Sequence, residues 1–256
     1  MLKKNSQKIS VHITSLGCPK NLVDTEIIAA SLIKRGMELA GSESNANIML
    51  INTCGFIKAA RDESAEHIIK ALKWRKKGKS RRVVLCGCIN QLKNNDELKD
   101  LISKADLRLG LNDIETVAEK IEKLFRGNNE ADNNQISTPY YLANAQTPRL
   151  QLTPQHYSYI KIADGCSNHC SYCSIPSIRG EFRSRKPEDI ITEAENLLRN
   201  GCRELILIAQ DSTNYGFDLS KKRQIILILK ELEKIDSPLP IWIRLMYSHP
   251  KHFTDE

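Results

Sequence analysis

The amino-acid sequence predicts an α/β protein with two domains. The first is a parallel sheet covered by helices in three layers, and the second is the beginning of a partial (β/α) barrel. Apolar runs alternate with helical patterns from residue 11 to 125, which is the arrangement of βαβ units in a parallel sheet. A polar stretch rich in Asn, Gln, Thr and Pro then interrupts the pattern. The alternation resumes near residue 155, so we predict domains at 1–127 and 155–256, joined by a linker at 128–154.

The first domain contains four predicted strands and three predicted helices. The strands are apolar runs at 11–17, 47–51, 82–86 and, more weakly, 106–110. Asp24 or Thr25 is predicted to cap the first helix, and Gly36 to end it. The other two helices are predicted at 58–73 and 114–125.

The second domain is too short for a closed barrel. Strands are predicted at 159–163, 204–209 and 241–246, with helices at 187–199 and 224–235. A complete barrel takes about 250 residues, whereas this domain has about 100. Its last strand would be an exposed edge, so we expect the chain to be the N-terminal part of a longer protein.

Composition narrows the class of protein. Of the 256 residues, 41% are hydrophobic and 27% charged, which is typical of a globular protein. The N-terminus lacks the pattern of a signal peptide and no apolar run is long enough to cross a bilayer, so we predict a cytoplasmic protein with no membrane partner. Thiols stay reduced in the cytosol, and eight cysteines there favour metal binding or catalysis over disulfides.

The net charge of +7 predicts an acidic partner, with nucleic acid or a ribonucleoprotein as the first candidate. Much of the positive charge lies at 73–82. The ordinary interpretation of such a run is a solvated helix end and turn.

Three cysteines, Cys166, Cys170 and Cys173, fall within eight residues after the apolar run 159–163. We place them in the loop at the carboxyl end of that strand, where ligands of open sheets and barrels gather. Three thiolates suit a four-iron cluster and leave one iron open to a small molecule. The alternatives are three unconnected thiols, or a zinc site with His169 or His156 as fourth ligand. The basic segment 179–186 that follows could hold an anionic group.

A second triad is predicted in the first domain. Cys18, Cys54 and Cys88 each follow a different strand, and the carboxyl ends of parallel strands lie along one edge of a sheet. We therefore expect the three thiols to meet there and to suit a second cluster. Cys86 is the rival for the third position, but it would still lie within the strand, whereas Gly87 lets the backbone turn before Cys88. Cys86 and Cys202 are predicted to be core thiols.

The spacing Cys-x3-Cys-x2-Cys, with the aromatic Tyr172 before the last cysteine, resembles that of the radical S-adenosylmethionine (SAM) enzymes. The two triads together resemble the methylthiotransferases within that superfamily. The matching stretches are 15–26, 51–57, 87–88, 159–185 and 208–216. Pro19-Lys20 after the first cysteine and the stretch 174–180 resemble the branch that modifies a ribosomal protein more than the branch that modifies tRNA.

The resemblance implies a function and its cofactors. A methylthio group would be attached to the β-carbon of an aspartate in small-subunit ribosomal protein S-twelve, with the ribosome as the setting and an external electron donor. SAM and two 4Fe-4S clusters would be the cofactors. An unactivated β-carbon hydrogen is too weakly acidic for a general base, because protein sites shift a pKa by only a few units, so a radical must remove it.

Site residues follow from the same resemblance. Those implied for the SAM-binding cluster are Cys166, Cys170 and Cys173, and those for the auxiliary cluster are Cys18, Cys54 and Cys88. Tyr172 is expected near the adenine of SAM and Gln210 in contact with SAM, and no catalytic residue is assigned. Family members continue into the rest of the barrel and a small C-terminal β-domain. The competing hypotheses are a tRNA adenosine methylthiotransferase and a non-catalytic module that binds zinc and RNA.

Overall fold

A computed structural model describes residues 8–92, 96–127 and 136–253. The chain forms two compact units, Met1–Ser137 and Thr138–Glu256. The boundary falls inside the linker predicted at 128–154, of which 128–135 lie outside the described residues. The predicted α/β class is confirmed, because both units are built on parallel sheets with helical connections.

The first unit is a five-stranded parallel sheet in the order β2-β1-β3-β4-β5. Its strands are β1 (Ser10–Ser15), β2 (Glu38–Leu39), β3 (Ile48–Thr53), β4 (Arg82–Gly87) and β5 (Leu107–Arg108). Ser15 of β1 pairs with Asn52 of β3, and Asn52 in turn pairs with Cys86 of β4. The three central strands therefore end level with one another, at one edge of the sheet.

The described residues of this unit also form four helices, which are α1 (Pro19–Lys34), α2 (Lys58–Arg75), α3 (Asp96–Ile102) and α4 (Val117–Phe125). Side chains alternate across a strand, so β3 presents Met49 and Ile51 to one face and Ile48 and Leu50 to the other. Met49 and Ile51 pack in one buried cluster with Ile68 of α2. Ile48 and Leu50 are also fully buried, so the sheet has a core on both faces, as a three-layer domain requires.

Helix α1 begins six or seven residues, nearly two turns, earlier than predicted. The prediction that Asp24 or Thr25 caps it is wrong, because the helix starts at Pro19 with Cys18 at the N-cap. Proline suits the first helical position, where its φ is already helical and its missing N–H is not needed. Thr25 is buried and hydrogen-bonds Ser15 at 2.7 Å across the sheet edge. The early start places Cys18 three residues after the end of β1.

Other element boundaries also differ from the prediction. Strand β2 and helix α3 were not predicted, because a two-residue strand and a seven-residue helix carry too little periodicity. The last helix begins at Val117, after a 3₁₀ turn at Leu111–Asp113, and not at residue 114.

The second unit has a three-stranded parallel sheet in the order β10-β9-β6. The strands are β6 (Tyr157–Lys161), β9 (Glu204–Ile208) and β10 (Trp242–Leu245), and an antiparallel pair joins β7 (Ala163–Asp164) to β8 (Arg183–Ser184). The helices are α5 (Ile175–Arg179), α6 (Pro187–Arg199), α7 (Phe217–Ser220) and α8 (Ile225–Glu233). Two βα units, β6–α6 and β9–α8, thus precede the last strand, as predicted for the start of a barrel.

The strand predicted at 159–163 is displaced toward the N-terminus. It ends at Lys161, and the chain then turns so that Ala163 pairs with Ser184 in the antiparallel pair β7–β8. This small pair brackets the segment that contains Cys166, Cys170 and Cys173. Within the described residues β10 is paired on one side only, and Trp242 on it is 65% exposed.

None of the helices that the structure describes is both long and apolar enough to cross a membrane.

Candidate functional site

The first three predicted cysteines lie at the carboxyl edge of the first sheet. Cys54 and Cys88 directly follow Thr53 and Gly87, which pair with each other as the last residues of β3 and β4. On the other side, a Cβ placed on Gly17 would lie 2.6 Å from the Cβ and 2.8 Å from the Sγ of Cys54. The backbone that carries Cys18 therefore runs directly against Cys54. The structure brings all three residues together from three adjacent strands.

Two glycines make this close approach possible. Gly17 and Gly87 both have φ of +90°, a left-handed conformation that other residues adopt only with strain. A Cβ on Gly87 would lie 2.3 Å from Oδ1 of Asn52. The backbone turn before Cys88 therefore requires glycine, as the sequence predicted.

Asn21 connects the three strand ends. Its Nδ2 donates to the carbonyl oxygen of Leu16 at 3.0 Å and to that of Thr53 at 2.8 Å. Its Oδ1 accepts a hydrogen bond from Sγ of Cys88 at 3.5 Å. This role of Asn21 was not predicted from the sequence, because its contacts join residues 32 and 67 positions apart in the chain.

Cys86 lies inside β4 and is 1% exposed. Burial strongly raises the pKa of its thiol, so it stays protonated. Its Sγ donates to the carbonyl oxygen of Ile51 at 3.7 Å, within the core. Cys202 is equally buried, and its Sγ donates to the carbonyl oxygen of Glu204 at 3.3 Å. Both are placed as core thiols.

The loop of the second unit holds the other three cysteines, all half-buried and free of disulfides. Its base is fixed by the N–H of Cys166, which donates to the carbonyl oxygen of Gly180 at 3.1 Å. Gly165, at φ +82°, packs so closely that a Cβ there would lie 2.0 Å from the carbonyl oxygen of Glu181. A turn in which the N–H of Cys173 donates to the carbonyl oxygen of Cys170 at 3.0 Å closes the other end. Burial raises the pKa of the Cys166 thiol, so a metal that binds it must displace its proton.

Asp211, just past the end of β9, is a buried residue that accepts a hydrogen bond from this loop. Its Oδ2 accepts from Nδ2 of Asn168, which lies between the first two cysteines of the loop, at 2.9 Å. The same oxygen lies 3.0 Å from Nδ1 of His252, and Oδ1 accepts from Oγ1 of Thr213 at 2.7 Å. Asp211 is 2% exposed, so the loop is attached to a buried and fully engaged carboxylate.

Asp164 anchors the start of the loop. Its Oδ1 accepts from the N–H of Gly165 at 2.9 Å and from Nε2 of Gln210 at 2.8 Å. Its Oδ2 lies 3.0 Å from Nη1 of Arg179 and 3.3 Å from Nζ of Lys161. Burial alone would raise the pKa of this carboxyl, but the two cations outweigh it and hold the pKa well below its usual range. The carboxylate therefore stays charged and fixes Gln210 at the loop.

The remaining predicted site residues lie in different settings. Tyr172 is 89% exposed, and Oε1 of Gln210 is buried without a hydrogen-bond partner among the described residues. His169 lies in the loop with φ of +48°, whereas His156 precedes β6, at the opposite end of that strand from the loop.

The basic segment 179–186 is largely used within the fold. Arg179 pairs with Asp164, and Arg185 lies 2.7 Å from Asp189. Both arginines are at most 5% exposed, so the expectation that this segment holds an external anion does not apply to them.

In the described ranges, no three His, Cys, Asp or Glu side chains converge as the ligands of a single metal ion. A four-iron cluster binds each thiolate through a different iron, and its ligands stand further apart than those of one ion.

Two family models match the chain. The model described as "Uncharacterized protein family UPF0004" matches residues 10–110, and the Radical SAM superfamily model matches residues 160–252. Each match includes one of the two cysteine triads.

Curated relatives match nearly the whole chain. A "Ribosomal protein uS12 methylthiotransferase RimO" from Syntrophus aciditrophicus (strain SB) is 45% identical over 251 residues, covering 98% of this chain and 55% of the relative. The protein of the same name from Thermoanaerobacter sp. (strain X514) is 43% identical over 247 residues, covering 96% of this chain and 55% of the relative. The chain thus spans about half the length of these relatives.

Solved structures share the fold. The radical SAM methyltransferase TsrM from Kitasatospora setae, with cobalamin and a 4Fe-4S cluster bound, matches with a TM-score of 0.57 at 10% identity, covering 88% of this chain and 52% of that one. The cobalamin-dependent SAM radical enzyme OxsB matches with a TM-score of 0.55 at 12% identity, covering 93% of this chain and 38% of that one.

Proposed function

We propose that the two cysteine triads of this chain serve the transfer of a methylthio group to a carbon atom. The chain belongs to the RimO-like radical SAM methylthiotransferases, which supports this proposal. The observation that carries the proposal is the pair of three-thiol sites, each at the carboxyl edge of a parallel sheet in its own unit. Open α/β sheets bind their ligands at that edge.

The donor sets fit iron–sulfur clusters. Thiolates are the usual ligands of cluster iron, and three of them leave the fourth iron open. We assign one cluster to Cys18, Cys54 and Cys88 and a SAM-binding cluster to Cys166, Cys170 and Cys173. When bound, these groups would supply one-electron chemistry. A substrate hydrogen would leave as an atom and end in 5′-deoxyadenosine, and sulfide held at the Cys18, Cys54 and Cys88 site would take its place and return one electron to the iron there. A second SAM would give the methyl group, and an external donor would give the electron that cleaves the first SAM.

Residues around the two triads hold the thiols in position. Gly17, Gly87 and Asn21 hold the three strand-end thiols at one edge. Asp164 and Asp211 fix the second loop at its base and at its middle. We assign SAM contacts to Gln210, whose Oε1 is buried without a partner in the described part of the chain, and to the exposed ring of Tyr172.

The names of the relatives support the substrate. We propose that the acceptor is an aspartate β-carbon of ribosomal protein uS12, in keeping with the curated names of the matching proteins. Pro19-Lys20 and the stretch 174–180, which resemble the branch that modifies a ribosomal protein, favour this acceptor over tRNA.

Product analysis tests the proposal. The anaerobically reconstituted chain is incubated with SAM, a reductant and either uS12 or tRNA, and the products are measured by mass spectrometry. We expect uS12 to gain one methylthio group in place of one hydrogen, with 5′-deoxyadenosine formed. Cys170→Ala should abolish 5′-deoxyadenosine formation, whereas Cys202→Ala, which removes a core thiol, should retain it. Normal SAM cleavage by Cys170→Ala would refute the assignment of Cys170 as a cluster ligand. Modification of tRNA but not of uS12 would show that the chain is a tRNA methylthiotransferase instead.

A further inference from the structure

The net charge of the protein is concentrated in ten residues. The run Lys73–Arg82 contains seven of the 38 Lys and Arg residues and none of the 31 Asp and Glu residues. The other 31 basic residues equal the acidic ones in number, so the rest of the chain is neutral overall and the whole +7 belongs to this run. We call these ten residues the basic turn.

The basic turn covers the end of α2, a short loop and the first residue of β4. Its arginines hold its shape. Arg75 pairs with Asp106 at 2.8 Å. Nη1 of Arg81 donates to the carbonyl oxygen of Trp74 at 3.0 Å, and Nη1 of Arg82 donates to that of Lys79 at 3.1 Å. These contacts fix the backbone of the turn without using any lysine ammonium group.

The lysines are the outward-facing charges. Lys73, Lys76, Lys77 and Lys79 are exposed, and no hydrogen bond or ion pair holds their ammonium groups within the described residues. The nearby acid Glu43 is already paired with Lys70 at 2.6 Å. Four cations therefore stand on this turn with no acid paired to them among the described residues, which suits an anionic partner.

The basic turn is separate from the cysteine site. It meets β4 at Arg82, while Cys88 follows the other end of the same strand. A six-residue strand separates its ends by about 16 Å at 3.3 Å per residue. The turn therefore lies at the amino edge of the sheet and cannot belong to the thiol site at the carboxyl edge.

The turn offers charge but no stacking surface. Its one aromatic residue, Trp74, is 7% exposed, and the guanidinium of Arg81 lies 4.6 Å from the centroid of its ring. Proteins that bind unpaired bases stack them on exposed aromatic rings, whereas duplexes are held through their phosphates.

We propose that the basic turn binds the phosphate backbone of double-helical RNA. We infer a duplex backbone as the ligand because the lysines of the basic turn are exposed, whereas the indole of Trp74 is buried and cannot stack on a base. The choice of RNA rests on the proposed function, because a substrate in the ribosome is surrounded by structured RNA. The turn would hold the protein on that RNA at the edge of the first sheet opposite to the thiols of that unit.

The test is binding of a fluorescent mixed-sequence RNA duplex of about 16 base pairs, the span of a double-stranded RNA-binding module. Anisotropy is measured over a series of salt concentrations with the holoprotein, without SAM or uS12, so the result does not depend on methylthio transfer. The variant is Lys76→Gln/Lys77→Gln/Lys79→Gln. Its matched control, Lys34→Gln/Lys222→Gln/Lys230→Gln, lowers the net charge of +7 by the same three units from exposed positions elsewhere.

We expect the turn variant to bind roughly 10²-fold more weakly at about 0.1 M salt and to lose about 2 to 3 from the log–log salt slope, because each phosphate contact contributes about 0.9 to that slope. The control should bind within about threefold of the wild type. Equal weakening of both triples would overturn the proposal, since net charge alone would then account for binding. Binding of an oligoglutamate peptide or of anionic vesicles, but not RNA, through the same three lysines would also overturn it.

Discussion

At the scale of single residues, the amide of Asn21 organises the first thiol site. One side chain donates to backbone carbonyls at the ends of β1 and β3 and accepts from the thiol of Cys88 beyond β4. Asn21 is fully buried, so each of these hydrogen bonds replaces water at a polar group that would otherwise be unpaired.

Replacing this side chain should affect both stability and the site. We expect Asn21→Ala to destabilise the first unit by about 3 kcal/mol, because it removes the donor from two buried carbonyls that cost about 1–3 kcal/mol each when unpaired. Urea unfolding followed by Trp74 fluorescence, in a Trp242→Phe background, reports on this unit alone.

The same variant should retain less iron at the first triad when challenged with a chelator. Asn45→Ala, at an exposed position of the same unit, is the control and should change neither quantity. Wild-type stability and iron retention in Asn21→Ala would show that Asn21 does not organise the strand ends.

Residue spacing predicted the six thiols but not their supports. The Cys-x3-Cys-x2-Cys pattern and the three strand-end cysteines are local signals that a sequence displays directly. The contacts of Asn21, and the bond from Asn168 to Asp211 across 43 residues, depend on how distant strand ends approach each other. No local pattern contains that information.

At the scale of elements, the first site depends on how β1 and β4 end. Gly17 and Gly87, which directly precede Cys18 and Cys88, both have φ of +90°. A Cβ on Gly17 would collide with Cys54, and one on Gly87 would collide with Asn52. The strand ends are therefore shaped for close approach of three backbones, which a continuation of regular strand geometry would not permit.

Two glycines in the same unit both have positive φ, but only one of them is crowded. Gly87 and Gly36 both have positive φ, but a Cβ on Gly36 meets no atom within 4 Å, whereas one on Gly87 lies 2.3 Å from Asn52. Alanine in the left-handed conformation costs about 1–2 kcal/mol at Gly36. Gly87 has φ +90° and ψ −161°, a region essentially restricted to glycine, where strain costs about 1–3 kcal/mol and crowding adds about 1–3 kcal/mol more. We expect Gly87→Ala to lower the free energy of unfolding by clearly more than Gly36→Ala, measured by the same urea method. Equal losses would mean that the packing at the end of β4 is not tight.

Elements with strong periodicity were predicted best. Helix α6, Pro187–Arg199, matches its prediction at both ends because proline begins it and a glycine follows it closely. Helix α1 was started too late because Asp24 and Thr25 have the chemistry of caps but are buried against the sheet edge. Their burial is a tertiary effect that outweighs local capping preference.

At the scale of the whole molecule, the chain consists of two units, and each carries three thiols at the carboxyl edge of a parallel sheet. Hydrophobic alternation was enough to predict both sheets, because each βα unit has its own pattern. The short pair β7–β8 was not predicted, since its two-residue strands pair across the cysteine loop and have no period of their own.

The central claim is that each triad holds its own four-iron cluster. Iron and sulfide analysis of the anaerobically reconstituted protein tests it most directly. We predict about eight irons for the wild type, about four each for Cys18→Ala/Cys54→Ala/Cys88→Ala and for Cys166→Ala/Cys170→Ala/Cys173→Ala, and about eight for the control Cys86→Ala/Cys202→Ala. Wild-type iron in either triple variant, or loss of iron in the control, would contradict the claim.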